Sequence, residues 1–264
     1  MPQTLEVEWR DAVARVWLAR PELRNALDPR LIAELTETFM TLSQDNAVRA
    51  IVLGGRGKAF CAGADLNWMR ASAQAGEAEN RDDALTLATL LQTIATCPKP
   101  TIARIHGPCM AGGMGLAAAC DIAIGTPAAR FALSEVRLGL IPAMISPYVL
   151  RAIGARAASR YFLTAEVFDS ETARRIGLLH DWCDEDQLDV RIEHLLAQFM
   201  QASPDALAQT KTLIREVTGR PLAAELLEDT ATRIARQRAS ADGREGMAAF
   251  LEKRRPNWAP SQDE

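Results

Sequence analysis

TIARIHGPCMAGGMGLAAACDIAI, residues 101–124, is the stretch on which the reading of the fold turns. Its β-rich opening, Thr101–Ile105, predicts a strand, and the small apolar run Gly112–Ala119 predicts a buried helix. Asp121–Ile124 then predicts another strand. Strand, glycine-rich turn, short helix and strand in so short a span indicate an α/β core. A second segment has the same build: FCAGADL at 60–66 follows the short apolar strand Arg49–Leu53, which stops at Gly54-Gly55. Small residues at such turns let backbone N–H groups at a helix start approach a ligand oxygen closely. Two N–H groups converging on one carbonyl oxygen make an oxyanion hole, each donor worth about 2.7–4 kcal/mol in a transition state. The same glycines could equally serve tight turns and close helix–strand packing.

Working outward, Leu5-Val7-Trp9 and Val13-Arg15-Trp17 alternate around Arg10-Asp11, which predicts an opening β-hairpin. Asp28-Pro29 supplies a cap and an N1 proline, and Leu31, Ile32, Leu35, Phe39 and Leu42 keep helical spacing after it. Residues 70–83, rich in Ala, Glu, Asp and Asn, read as a polar, mobile insert before a helix over 84–96. Further expectations are a strand near Arg130–Leu133, a helix opened by Ser146-Pro147, a helix from a Ser170 cap to Gly177, and a strand over Leu178–Trp182. From about Asp186 onward the pattern is helical.

Composition narrows the function. A net charge of −4 gives no global attraction to nucleic acid or anionic lipid, so an anionic ligand must be held by local groups. Five cysteines without a Cys-x-x-Cys pair, and only three histidines, suggest no metal site and unpaired thiols in a reducing cytoplasm. The N-terminus lacks a basic stretch followed by an apolar run, so neither a signal peptide nor a membrane segment is expected. Gly113-Met114-Gly115-Leu116-Ala117-Ala118 imitates a dinucleotide fingerprint. However, the next strand follows too soon for the helix such a site requires, and Glu135 lies beyond the strand that should carry the acid.

The two glycine-rich segments, their order and what surrounds them resemble the crotonase (enoyl-CoA hydratase/isomerase) superfamily. The resemblance includes Arg20-Pro21 with Asn25-Ala26-Leu27, FCAGADL at 60–66, HGPCMAGGMGL at 106–116 and Cys120-Asp121-Ile122-Ala123. It continues through SEVRLGLIP at 134–142 and REGMAAFLEKRRPNW at 244–258. It implies an α/β spiral of ββα units over 1–185 and a helical region over 186–264 serving oligomerisation and CoA contact. It implies an acyl-CoA substrate, no separate cofactor because coenzyme A is part of that substrate, and a homotrimer or dimer of trimers. By position, Ala64 and Gly112 would offer the N–H groups to the thioester oxygen, and Glu135 would move the proton. CoA would lie along Leu23–Asn25 and Ala62–Leu66, with Arg24, Ala62, Asp65 and Leu66 beside it. Phe250 and Lys253 would reach it, often from a neighbouring subunit.

The chain departs from two-glutamate hydratases of this family at Gly115, where they carry a second glutamate. With Glu135 alone, hydration of an enoyl-CoA and migration of its double bond both stay open, and a non-catalytic acyl-CoA-binding protein is the alternative from another class. Gly115, SEVRLGLIP and ISPYVLRAIG at 145–154 look most like hydratases of branched substrates, of the 3-methylglutaconyl-CoA type. That reading expects Gly115 to leave room for a methyl branch. It looks to Arg70, Arg81, Arg137, Ser146 and Tyr148 for partners to a distal carboxylate, because burying a carboxylate unpaired costs several kcal/mol.

Overall fold

The computed structural model describes residues 3–260. Leu5–Arg10 (β1) and Val13–Leu18 (β2) form the expected hairpin, antiparallel in register from Leu5 opposite Leu18. Ala50–Gly55 (β3), Thr101–Ile105 (β4), Ile122–Gly125 (β6) and Asp181–Trp182 (β9) add in parallel, giving the order β1-β2-β3-β4-β6-β9. A small second sheet joins Cys109–Met110 (β5), Arg130–Ala132 (β7) and Phe168–Asp169 (β8).

Every residue of β2 and β3 is buried, as parallel strands with both faces covered should be. Alternate side chains go to opposite faces. Ala14, Val16, Ile51, Leu53, Ala103 and Ile105 pack with Pro29–Gln44 (α1), Glu77–Thr96 (α3) and Gly112–Ala119 (α4). Val13, Ala50, Val52, Ile102 and Ile124 pack with Leu188, Ile192 and Leu196 of Glu185–Gln201 (α7). The first helix of the C-terminal region therefore covers a face of the sheet. Helices Pro204–Val217 (α8), Ala224–Ala239 (α9) and Ala241–Leu251 (α10) follow it and expose Ile214, Leu227, Phe250 and Leu251, and Leu222 is exposed in the turn between α8 and α9.

Asp28 caps α1 by accepting from the Leu31 N–H at 2.8 Å, and the five apolar residues expected to face inward are buried. Residues 70–83 differ from expectation. Leu66–Ser72 (α2) and the start of α3 at Glu77 occupy most of them, because Asp65 caps α2 and Glu77 and Glu79 favour the first turn of α3. Trp68 donates its indole N–H to Asp83 at 2.6 Å, and Asn80 donates to the carbonyls of Ser72 and Ala75, so the turn between them is tied.

Two helix starts also differ. In Ser146–Thr164 (α5) Ser146 turns back to donate to the Ala143 carbonyl, and the capping position is Ile145. In Ser170–Ile176 (α6) Asp169 is the cap, while the buried Ser170 hydroxyl donates to the Thr126 carbonyl at 2.6 Å. The strand expected over Leu178–Trp182 is paired only at Asp181–Trp182, because Leu178 and Leu179 are drawn into the core.

Candidate active site

The loop 60–65 is held as a short extra strand against residues 24–27. The Ala62 N–H donates to the Arg24 carbonyl (3.0 Å), Leu27 N–H to Gly63 (2.7 Å) and Asp65 N–H to Leu27 (2.8 Å). The buried Asn25 and the partly buried Arg20 fix the other half of this pairing. Asn25 accepts from the Arg20 N–H and donates to the carbonyls of Arg56 and Ala59 at 2.9 and 2.8 Å. The Arg20 guanidinium reaches the Ala26 carbonyl (2.6 Å), Asp28 (2.9 Å) and Asp65 (3.2 Å). Arg24 and Asn25 both adopt left-handed backbone, with φ of 52° and 56°, to turn the segment. In this pairing the neighbours of Ala64 bond to Leu27, and the Ala64 N–H points the other way. It donates to no described residue.

The second loop leads from β5 into α4. Ala111 stands at φ 45°, ψ −113°, a conformation that L-residues rarely adopt. It is pinned on both sides: its N–H donates to Ala132 (2.9 Å), and its carbonyl accepts from Met114 and Gly115. Its methyl group lies where a Cβ on Gly63 would come within 3.3 Å, so the two loops touch. The Gly112 N–H at the start of α4 donates to no described residue. An unpaired N–H at a helix N-terminus carries partial positive charge.

Glu135 follows from the same strand. Ala132, which receives the Ala111 N–H, ends β7, and Glu135 opens a 3-10 turn three residues later. Its side chain is half-buried, and Oε2 is the only buried carboxylate oxygen without a hydrogen-bond partner among the described residues. Burial raises its pKa above the ordinary 4.5, with its own backbone N–H opposing weakly and no cationic neighbour contributing. A structural ion pair with Arg137 is therefore not its role: Arg137 is exposed and donates at 3.4 Å to the Thr164 carbonyl. A partly dehydrated, unpaired carboxylate with a raised pKa is suited to taking up and returning a proton.

The other expected residues are distributed unevenly. Ala62 and Arg24 are joined directly, and the Arg24 side chain and Leu66 are exposed beside them. Asp65 is buried: it accepts from the N–H groups of Asn67 (2.8 Å) and Trp68 (3.4 Å) while holding Arg20, which makes it a structural pin of the loop. Phe250 and Lys253 are exposed at the end of α10, which packs on α8 and α9. No hydrogen bond among the described residues joins them to residues 23–25 or 60–66 of their own chain.

Gly115 does not leave room. A Cβ there would lie 2.3 Å from Ile145 Cγ2 and 3.0 Å from Ile145 Cβ, so the space expected for a methyl branch is filled by Ile145. Nor do the proposed carboxylate partners converge. Arg70 bonds Asn67 and Arg81 pairs with Asp82, both exposed, and Ser146 is bonded to Ala143. Tyr148 faces a separate cavity of about 370 Å³ behind the C-terminal end of α4, with Arg151, His180 and Lys211. Sequence reading missed Arg20, Ala111 and Ile145. All three stood inside quoted motifs, but their roles depend on torsions and contacts that the motifs do not report.

Among the described residues no three His, Cys, Asp or Glu side chains group as metal ligands, and no helix is long and apolar enough to cross a membrane. The five cysteines are unpaired, four of them buried.

Comparison with known proteins agrees with this architecture. The enoyl-CoA hydratase/isomerase family matches residues 8–261. The crystal structure of an enoyl-CoA hydratase from Shewanella pealeana superposes with a TM-score of 0.95 at 40% identity, covering 97% of this chain and 96% of that one. The Pseudomonas aeruginosa protein AtuE superposes at 0.92 and 37% identity, covering 98% and 100%. The enoyl-CoA hydratase AKT6-1 of Alternaria alternata is 40% identical over 216 residues, 80% of this chain and 69% of its own length. A family match across nearly the whole length, on a fold that brings both glycine-rich loops together, places this chain in the enoyl-CoA hydratase/isomerase (crotonase) family.

Proposed function

We propose that the protein is a hydro-lyase that adds water across the Cα=Cβ bond of an α,β-unsaturated acyl-CoA, with Glu135 as its one acid–base group. The observation that carries this is the Glu135 carboxylate, buried on one oxygen, unpaired and raised in pKa, three residues past the strand end that receives the Ala111 N–H. Glu135 takes a proton from water as the oxygen bonds to Cβ. The Cα=Cβ electrons move toward the thioester, and charge gathers on its oxygen between the N–H groups of Ala64 and Gly112. Such fixed dipoles need not reorganise as the enolate forms. The same carboxyl then returns its proton to Cα, which restores the enzyme.

Coenzyme A enters as part of the substrate, with no separate cofactor, along Leu23–Asn25 and the 62–66 loop, where Arg24 is free to meet phosphate. Phe250 and Lys253, exposed and far along the chain, are proposed to complete that site on a neighbouring subunit of a trimer or dimer of trimers. The helices beyond α7 would form the contact; their exposed Leu227 and Leu251, with Leu222 in the turn between α8 and α9, support this. A cytoplasmic setting fits the four buried, unpaired thiols. A branched acyl group of the 3-methylglutaconyl type keeps its support from sequence resemblance, but the room beside Gly115 no longer counts for it.

The test is turnover of crotonyl-CoA and branched enoyl-CoA esters in heavy-oxygen water by wild type and Glu135→Gln. Oxygen incorporation lost by at least ~100-fold in the variant, with ester binding kept, is expected for loss of a general acid–base group. Near-wild-type incorporation would remove Glu135 from the mechanism, and proton exchange at Cα and Cγ without oxygen uptake would make the enzyme an isomerase.

A further inference from the structure

Gly115 lies one helical turn beyond Gly112, so the two share a face of α4. What stands closest to Gly115 there is one side chain, Ile145. Ile145 Cγ2 would stand 2.3 Å and Ile145 Cβ 3.0 Å from a Cβ at position 115, with Leu91 Cδ1 behind them at 3.5 Å. Ile145 has little freedom to withdraw. It is 3% exposed, and its carbonyl accepts from Tyr148 (3.1 Å) and Val149 (3.0 Å) at the start of α5. Being β-branched, it is also stiff about its first side-chain torsion.

Ile145 belongs to the loop that begins at Glu135. Leu140 N–H returns to the Glu135 carbonyl at 3.0 Å, Ala143 N–H to Ile141 at 2.8 Å and Ser146 N–H to Ala143 at 3.2 Å. That folding carries the chain from Glu135 to the point where the Ile145 side chain meets the face of α4 that bears Gly115.

We infer that Ile145, interlocked with Gly115, is a specificity-determining wall of the acyl site: a hydrocarbon surface opposite Glu135 that limits the bulk allowed at the substrate's β-carbon. This rests on the hydratase reading above. It reverses the expectation attached to Gly115, because the glycine makes room for Ile145 and leaves none for substrate. Removing side-chain atoms from Ile145, and not altering residue 115, should then raise the preference for a β-methyl branch relative to a linear chain.

The experiment compares kcat/KM on 3-methylcrotonyl-CoA and crotonyl-CoA for wild type, Ile145→Val and Ile145→Ala. Ile145→Val removes one methyl group and is the variant to rely on should the larger truncation fold poorly. We expect the branched-to-linear ratio to rise in the order wild type, Val, Ala, by threefold or more at the first step that yields folded enzyme. A smaller change in every folded variant overturns the assignment of Ile145. Thermal unfolding supplies an independent readout: Gly115→Ala should unfold at least several degrees below wild type and recover most of that loss when combined with Ile145→Ala. No recovery overturns the interlock. Absence of hydration by wild type on both esters would sink the hydratase reading instead, so the two failures are distinguishable.

Discussion

Replacing Asp65 separates two roles that the same residue could hold. On sequence resemblance it borders CoA; in the structure it caps α2 through the N–H groups of Asn67 and Trp68 and takes one arm of Arg20. Loss of an N-cap costs about 1 kcal/mol, and loss of a buried hydrogen bond to a charged group about 1.5–3 kcal/mol. Arg20 keeps Asp28 at 2.9 Å, so its charge is not abandoned and the lower part of that range applies. Asp65→Ala should therefore destabilise the fold by about 3 kcal/mol in all, lowering the thermal midpoint by about 6–10 °C for a chain of this size. Asp65→Asn keeps the capping oxygen and loses the charge, so about 1 kcal/mol is expected. Because the Asp65 N–H pairs with Leu27 beside Ala64, Asp65→Ala should also reduce kcat by about tenfold, equivalent to about 1.4 kcal/mol of transition-state binding. Urea and thermal unfolding together with steady-state kinetics make the comparison. If Asp65→Ala unfolds with wild type and only raises KM for the CoA ester, the pinning role is wrong and Asp65 is a ligand contact.

Four further outcomes are expected. Burial holds the folded-state pKa of Glu135 above the ordinary 4.5, so its contribution to stability is whole at pH below that ordinary value and is lost as pH rises through the raised one. Glu135→Gln removes this slope, and its melting temperature relative to wild type should be more favourable at pH 7 than at pH 4; an equal difference at both would contradict the burial. The same shift places the acid limb of the kcat/KM profile above pH 4.5, and a limb at or below that value would count against Glu135 as the base. Ala64→Pro deletes one proposed donor and should lower kcat by about 100-fold while Ala64→Ser does not. Equal effects of the two, with folding checked by circular dichroism, would dismiss that N–H. Thiol reagents at pH 8 should label native protein chiefly at the half-buried Cys183, since burial pushes Cys61 and Cys120 up to about 12; rapid labelling of either would mean the core opens.

Much of the fold was legible because its signals are local. The Asp28-Pro29 start, the five-residue apolar stripe of α1 and the strand–helix–strand order at 101–124 each follow from neighbouring residues and their period. The tied turn at 73–76 was not legible, because Trp68–Asp83 and the two bonds from Asn80 close it through side chains that are merely polar on paper. The candidate site divides in the same way. Glu135 stood out as the carboxylate left after Gly115, and its lack of a partner is a matter of geometry. The role of Arg20 and the filling of Gly115 by Ile145 depend on residues 45 and 30 positions away, which no local pattern reports.

The proposed donors at Ala64 and Gly112 belong to the main chain, and this has a consequence for how such a protein can vary through descent. Every amino acid except proline brings an N–H to its position. Substitution at residue 64 therefore changes size or charge near the ligand but seldom abolishes the bond itself. What inheritance must preserve is the curvature that aims those groups: the left-handed turns at Arg24 and Asn25, the bent Ala111 and the Arg20 brace. Lineages can thus exchange the side chains around the acyl group, and with them the preferred substrate, while the polarising element persists unaltered. Damaging lesions should fall on turn-forming and bracing positions, several of them well removed from any atom of the substrate.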